Sequence, residues 1–94
     1  MSGFNVGIGC FRKEDYDKIL SISDDRDTMN ETWEEWKKKS DNMKKSLKKE
    51  GYTVVDILVL PPDLMYWCHA KKMRINSEAR AQYVQEKVAE MFAD

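Results

Sequence analysis

The chain reads as a small α/β protein, a single domain over residues 1–94 with the element order βααβαα. Three observations predict this. Val6, Ile8 and Cys10 alternate with Asn5, Gly7 and Gly9, the period of two that marks a strand. Tyr52 to Leu60 (YTVVDILVL) is a second run, apolar almost throughout and broken mainly by Asp56. Each run is followed by two segments whose apolar residues recur at helical spacing.

The first strand leaves its glycine face bare, so a helix or another backbone can pack there closely. Arg12 and Lys13 close it. Glu14 and Asp15 suit the positive end of a helix that carries Tyr16, Ile19 and Leu20 and ends near Ser23. Asp24 to Asn30 (DDRDTMN) is polar and turn-prone, a loop. Thr32-Trp33-Glu34-Glu35 spells a capping box, with Thr32 as cap and Glu35 reaching back to its amide. From there a stripe through Trp33, Trp36, Ser40, Met43 and Leu47 runs on until Gly51 stops the helix. This helix begins acidic and ends basic, as its dipole favours.

The second strand, apolar on both faces, is expected to be covered on both sides. Pro61-Pro62-Asp63 opens a third helix with Leu64, Trp67, Cys68 and Lys71 inward. Asn76 or Ser77 caps a fourth, carrying Ala79, Tyr83, Val84, Val88, Met91 and Phe92. The two halves repeat an order of elements, not a sequence.

A strand, two helices and a strand form a right-handed crossover, which makes the strands parallel neighbours. An antiparallel pair stays open as the alternative, because two helices can also return the chain in the opposite sense. Two strands make a poor sheet with two open edges. The second strand is therefore expected to pair with its own copy in a two-fold homodimer, giving four strands, with Thr53, Val55, Asp56, Ile57 and Val59 at the interface. Asp56 argues the other way, since an inward-facing charge can keep an edge from pairing. The alternative is a monomer whose helices cover both edges.

Charged residues make up 35% and hydrophobic ones 41%, a globular and well-solvated balance. Sixteen basic and seventeen acidic side chains nearly cancel, so no overall field draws the molecule to nucleic acid or an anionic membrane. The longest uncharged apolar stretch, Ile57 to Pro62, is too short to cross a bilayer. The N-terminus has neither a basic segment nor an apolar signal core, so a cytoplasmic location is expected, with Cys10 and Cys68 as reduced thiols.

Seven lysines between Lys37 and Lys49 suggest a phosphate-binding face for nucleic acid. Against it, Trp33 and Trp36 sit in the acidic half of that helix, and Glu14 to Glu35 carries nine acids to two bases. A solvated helix face fits better. His69 follows Cys68 on one helix, where adjacent side chains point about 100° apart, so the two do not make a metal pair. No metal or cofactor set and no catalytic constellation emerges. Asp24, Asp25, Asp27, Asn30 and Glu34 crowd together but lack the glycine of a calcium loop. Gly7 and Gly9 lie inside a strand, whereas a phosphate-binding turn needs them after it.

Ligands of open α/β sheets sit beyond the carboxyl ends of the strands. Arg12, with Tyr16 nearby, occupies that place after the first strand, and Asp63 with Tyr66 after the second if the strands are parallel. A small anionic ligand held by Arg12 is one reading; an Arg12–Asp15 or Arg12–Asp63 ion pair is the plainer one. The three tryptophans read first as core, and otherwise as a partner surface.

Val6-Gly7-Ile8, Phe11-Arg12 with Asp15-Tyr16, Thr32-Trp33-Glu34-Glu35-Trp36, Trp67-Cys68, and Glu78-Ala79-Arg80 with Tyr83-Val84 together resemble a family of small uncharacterised bacterial proteins of about this length. The resemblance covers nearly the whole chain. It implies a bacterial cytoplasmic origin and no activity. The function expected from the sequence is a non-catalytic homodimeric interaction or regulatory module. The alternatives are a ligand-binding protein or enzyme with its site near Arg12, Tyr16, Trp67 and His69, and nucleic-acid binding through Lys37 to Lys49.

Overall fold

The structure of the protein, a computed structural model, describes residues 4–92. Strand β1 (Asn5–Cys10) leads into helices α1 (Lys13–Ile22) and α2 (Trp33–Lys49), with one turn of 3₁₀ helix at Arg26–Thr28 between them. Strand β2 (Thr53–Leu58) leads into α3 (Pro61–Lys71) and α4 (Ser77–Met91). The two strands pair in parallel, Asn5 opposite Thr53 through Cys10 opposite Leu58, as the crossover requires.

Local chemistry sets the helix ends. The Glu35 amide donates to Thr32 Oγ1 at 3.2 Å, and the Thr32 amide donates to Glu35 Oε1 at 3.3 Å, completing the capping box of α2. Gly51 follows α2 with φ of 96°, which only glycine adopts without strain. Asn76 caps α4 by accepting from the Ala79 amide at 3.0 Å. Proline at the first turn of α3 costs no hydrogen bond, because that amide has no helical partner.

The ends of the ladder reveal its phase. Phe4 C=O accepts from the Thr53 amide at 3.0 Å, and Cys10 C=O accepts from the Val59 amide at 2.8 Å. Even-numbered residues of β1 thus turn their backbone groups toward β2, and Asn5, Gly7 and Gly9 turn theirs to the outer edge. On β2 the outward groups belong to Val54, Asp56 and Leu58.

Helix α4 packs on the face bearing Gly7, Gly9, Val55 and Ile57, and α2 covers the other. The approach of α4 needs the glycines. A Cβ on Gly7 would lie 2.5 Å from Val88 Cγ2 and 2.8 Å from Val84 Cγ1. The core gathers Ile19, Ile57, Val59, Leu64, Cys68, Ala79, Tyr83 and Val84. Burial of each large apolar side chain contributes about 1.5–3 kcal/mol.

Two expectations change. Strand β2 is shorter than Tyr52 to Leu60 and is not covered on both faces: Thr53, Asp56 and Leu58 are exposed. The stripe on α2 is not core either, for Ser40 alone is buried, Trp33 and Trp36 are half-buried, and Met43 is exposed. The cause is the same. A two-stranded sheet is too narrow to cover the inner face of a helix. No helix among the described residues is long and apolar enough to cross a membrane.

Candidate functional site

The chain leaving β1 is held by aromatic packing. Phe11 lies against Trp36 with centroids 5.0 Å apart and against Tyr16 at 5.9 Å, while Trp33 packs on Trp36 at 6.4 Å. The polar atoms of these rings reach backbone. Tyr16 Oη donates to Asn30 C=O at 2.7 Å, and Trp33 Nε1 donates to Phe11 C=O at 2.8 Å. Arg80 of α4 fixes the loop after α1 by donating to both Asp25 carboxylate oxygens, at 2.7 and 3.0 Å, and to Ser23 Oγ at 3.2 Å. The guanidinium hydrogen bonds hold the Asp25 carboxyl below its usual range.

These anchors frame a slot of about 600 Å³ along the outer edge of β1. Its floor is Gly7, Ile8 and Gly9; one wall is Trp36, Ser40 and Met43 of α2, and the other is Ala81, Val84 and Gln85 of α4. Phe11, Asn30 and Arg80 also line it, and Lys39 stands with them. The volume and the mostly apolar lining with a few polar groups suit a binding site. Ser40 is only 4% exposed, and its hydroxyl has no hydrogen-bond partner.

The edge of β2 is different. A depression of about 460 Å³ is bordered there by Asp56, Ile57 and Leu58, with Tyr83, Lys87 and Met91 of α4 among the residues across from them. No residue of α2 lines this depression. Asp56 pairs with Lys44 of α2 at 2.9 Å, and that hydrogen bond holds the carboxyl below its usual range. Lys44 Nζ also stands 3.6 Å from Cys10 Sγ. Burial nevertheless pushes the Cys10 thiol up, away from a reactive thiolate.

Of the residues expected to hold a ligand, Arg12 is spent on Asp15, its Nε donating at 2.6 Å and Nη2 at 3.2 Å, which is one of the two plain ion pairs expected. Tyr16 is buried in the aromatic group. Trp67 is half-buried elsewhere, edge-on to Tyr83 at 5.7 Å, with Nε1 donating to Glu86 Oε1 at 3.2 Å. His69 is exposed on α3. None of the four lines the β1 slot, and no hydrogen bond or ring contact among the described residues joins Arg12 and Tyr16 to Trp67 and His69. Among the residues expected at a dimer interface, Thr53 and Asp56 are exposed and Val55 is half-buried, while the Ile57 and Val59 side chains lie in the core. The lysines of α2 do not act as one face: Lys37 pairs with Asp41 at 2.8 Å and Lys44 with Asp56, while Lys38, Lys39, Lys45, Lys48 and Lys49 are exposed. Among the described residues no group of three or more His, Cys, Asp or Glu side chains stands together as metal ligands.

Sequence reasoning missed the slot. The bare face of Gly7 and Gly9 was its only local signal, and that signal concerns the packing of α4. The walls come from positions distant in the chain. Comparison with protein-family models, curated proteins and solved structures finds no match for this chain.

Proposed function

We propose that the protein is a non-catalytic interaction module of the cytoplasm that works as a homodimer, its β2 edge pairing with that of a second copy across a two-fold axis into a sheet ordered 1-2-2′-1′. The observation that carries this reading is the edge itself, where the backbone groups of Val54, Asp56 and Leu58 face outward beside a depression lined by α4 and not by α2, although Lys44 of α2 reaches Asp56 there. Leu58 and Met91, 49% and 59% exposed, supply apolar surface at the same edge. Asp56 is the natural objection, and its charge is balanced by Lys44 within the same chain. An edge charge that already has a partner repels a neighbouring strand less than a free one. Free thiols at Cys10 and Cys68 fit a reducing compartment.

Sedimentation equilibrium at micromolar concentration tests the proposal. The expected mass is twice the 11.1 kDa of the chain, falling to one chain in Leu58→Lys with the helical content unchanged. A wild-type protein that sediments as a single chain overturns it.

A further inference from the structure

The edge of β1 is a separate surface, and what it carries does not depend on the dimer. Its outward N–H and C=O groups belong to Asn5, Gly7 and Gly9, repeating at intervals of about 6.6 Å as they would beside a neighbouring strand. The next outward carbonyl, that of Phe11, is already taken by Trp33, so the open edge has a defined end. Here helices α2 and α4 both line the slot. Trp36, Ser40 and Met43 on one side and Ala81 and Val84 on the other are the inner faces that would cover a third strand in a wider sheet.

The charge of the lining points to an occupant. The charged residues lining the slot are both cations: Arg80 is committed to Asp25, and Lys39 has no ion pair among the described residues.

We infer that this slot receives one extended peptide segment of a partner protein, added alongside β1 as a third strand, with apolar side chains at alternate positions and a carboxylate side chain reaching Lys39. Backbone pairing supplies the affinity and the α2 and α4 walls supply the selectivity, as in other strand-addition sites. The β1 strand of a second copy is the wrong occupant, because its own α2 and α4 would contend for the space held by these walls. A compact ligand would fill the apolar space and leave the spaced backbone groups of Gly7 and Gly9 unused.

Selection of a random heptapeptide library displayed on phage against the whole protein, followed by synthesis of an enriched sequence, tests the inference. Enriched peptides should alternate apolar and polar residues and carry Asp or Glu. The bound peptide should slow amide exchange at Gly7 and Gly9 at least ten-fold and leave Leu58 unchanged. N-methylation of alternate peptide amides should weaken binding at least ten-fold, and Lys39→Ala should weaken it about three-fold. The inference is overturned if no sequence is enriched, or if the enriched peptide protects Val54 to Leu58 instead. It is equally overturned if indole-3-acetate shifts the Trp36 and Ser40 resonances while no peptide protects Gly7 and Gly9, which would make the slot a small-molecule site. Sedimentation of the same samples separates this reading from the dimer, since a filled β1 slot leaves the number of chains unchanged.

Discussion

Gly7 and Gly9 let α4 lie directly on β1, and they do so unequally. The Cβ of alanine at position 7 would overlap two valine methyls, whereas at position 9 its tightest contact would be 3.1 Å to Val84 Cγ2. Gly7→Ala should therefore destabilise the fold by about 1–3 kcal/mol and Gly9→Ala by distinctly less, measured by urea unfolding. Equal losses would mean that α4 does not rest where the side chains place it. Asp25 gives a second residue-level expectation. Its pair with Arg80 is largely shielded, with side-chain exposures of 19% and 13%. The carboxyl is held below its unfolded value, so the stabilisation is complete above about pH 4 and is lost as the pH falls through the folded value. Asp25→Asn should cost about 1.5–3 kcal/mol at neutral pH, and the gap to wild type should close in acid. A gap that stays constant down to the acid limit would exclude this ion pair as its source.

At the scale of elements, the legible features were those decided within a turn or two of chain. Thr32 and Glu35 build their capping box from adjacent backbone, and Gly51 meets a positive φ that its sequence position alone suggests. The period of two in β1 identified a strand for the same reason. It did not identify which amides face outward, because the phase of the ladder is set by pairing with β2. That phase makes a prediction for hydrogen exchange. The Ile8 and Cys10 amides, turned to β2, should exchange at least ten-fold more slowly than those of Gly7 and Gly9, turned to the slot. The reverse order, or no alternation, would place the ladder one residue out of register. The α2 stripe misled for a related reason. Trp36 and Met43 have the spacing of core residues, but spacing says only that they share a face, and the sheet beneath is too narrow to cover it.

For the whole molecule, the consequence of a two-stranded sheet is two edges with different surroundings. The β1 slot is lined by both α2 and α4, whereas the depression beside β2 is lined by α4, and α2 reaches that edge through the Lys44–Asp56 pair. If the β2 edge assembles two copies, the thermal midpoint should rise with protein concentration, because association adds to the stability of the folded state. A midpoint independent of concentration over a hundred-fold range would speak for a folded monomer. What the sequence determined by itself is the order of the elements and the caps of α2 and α4, since periodicity and end chemistry act locally; it favoured a parallel crossover by general rule, and the structure decided it. Arg12, Tyr16, Trp67 and His69 seemed natural ligand residues on the same local grounds. Only the tertiary structure turned Arg12 to Asp15 and Trp67 to Glu86, and set Ser40 and Lys39 with Gly7 and Gly9. A site between strands and helices distant in the chain exists only once packing has decided which faces are covered and which are left open.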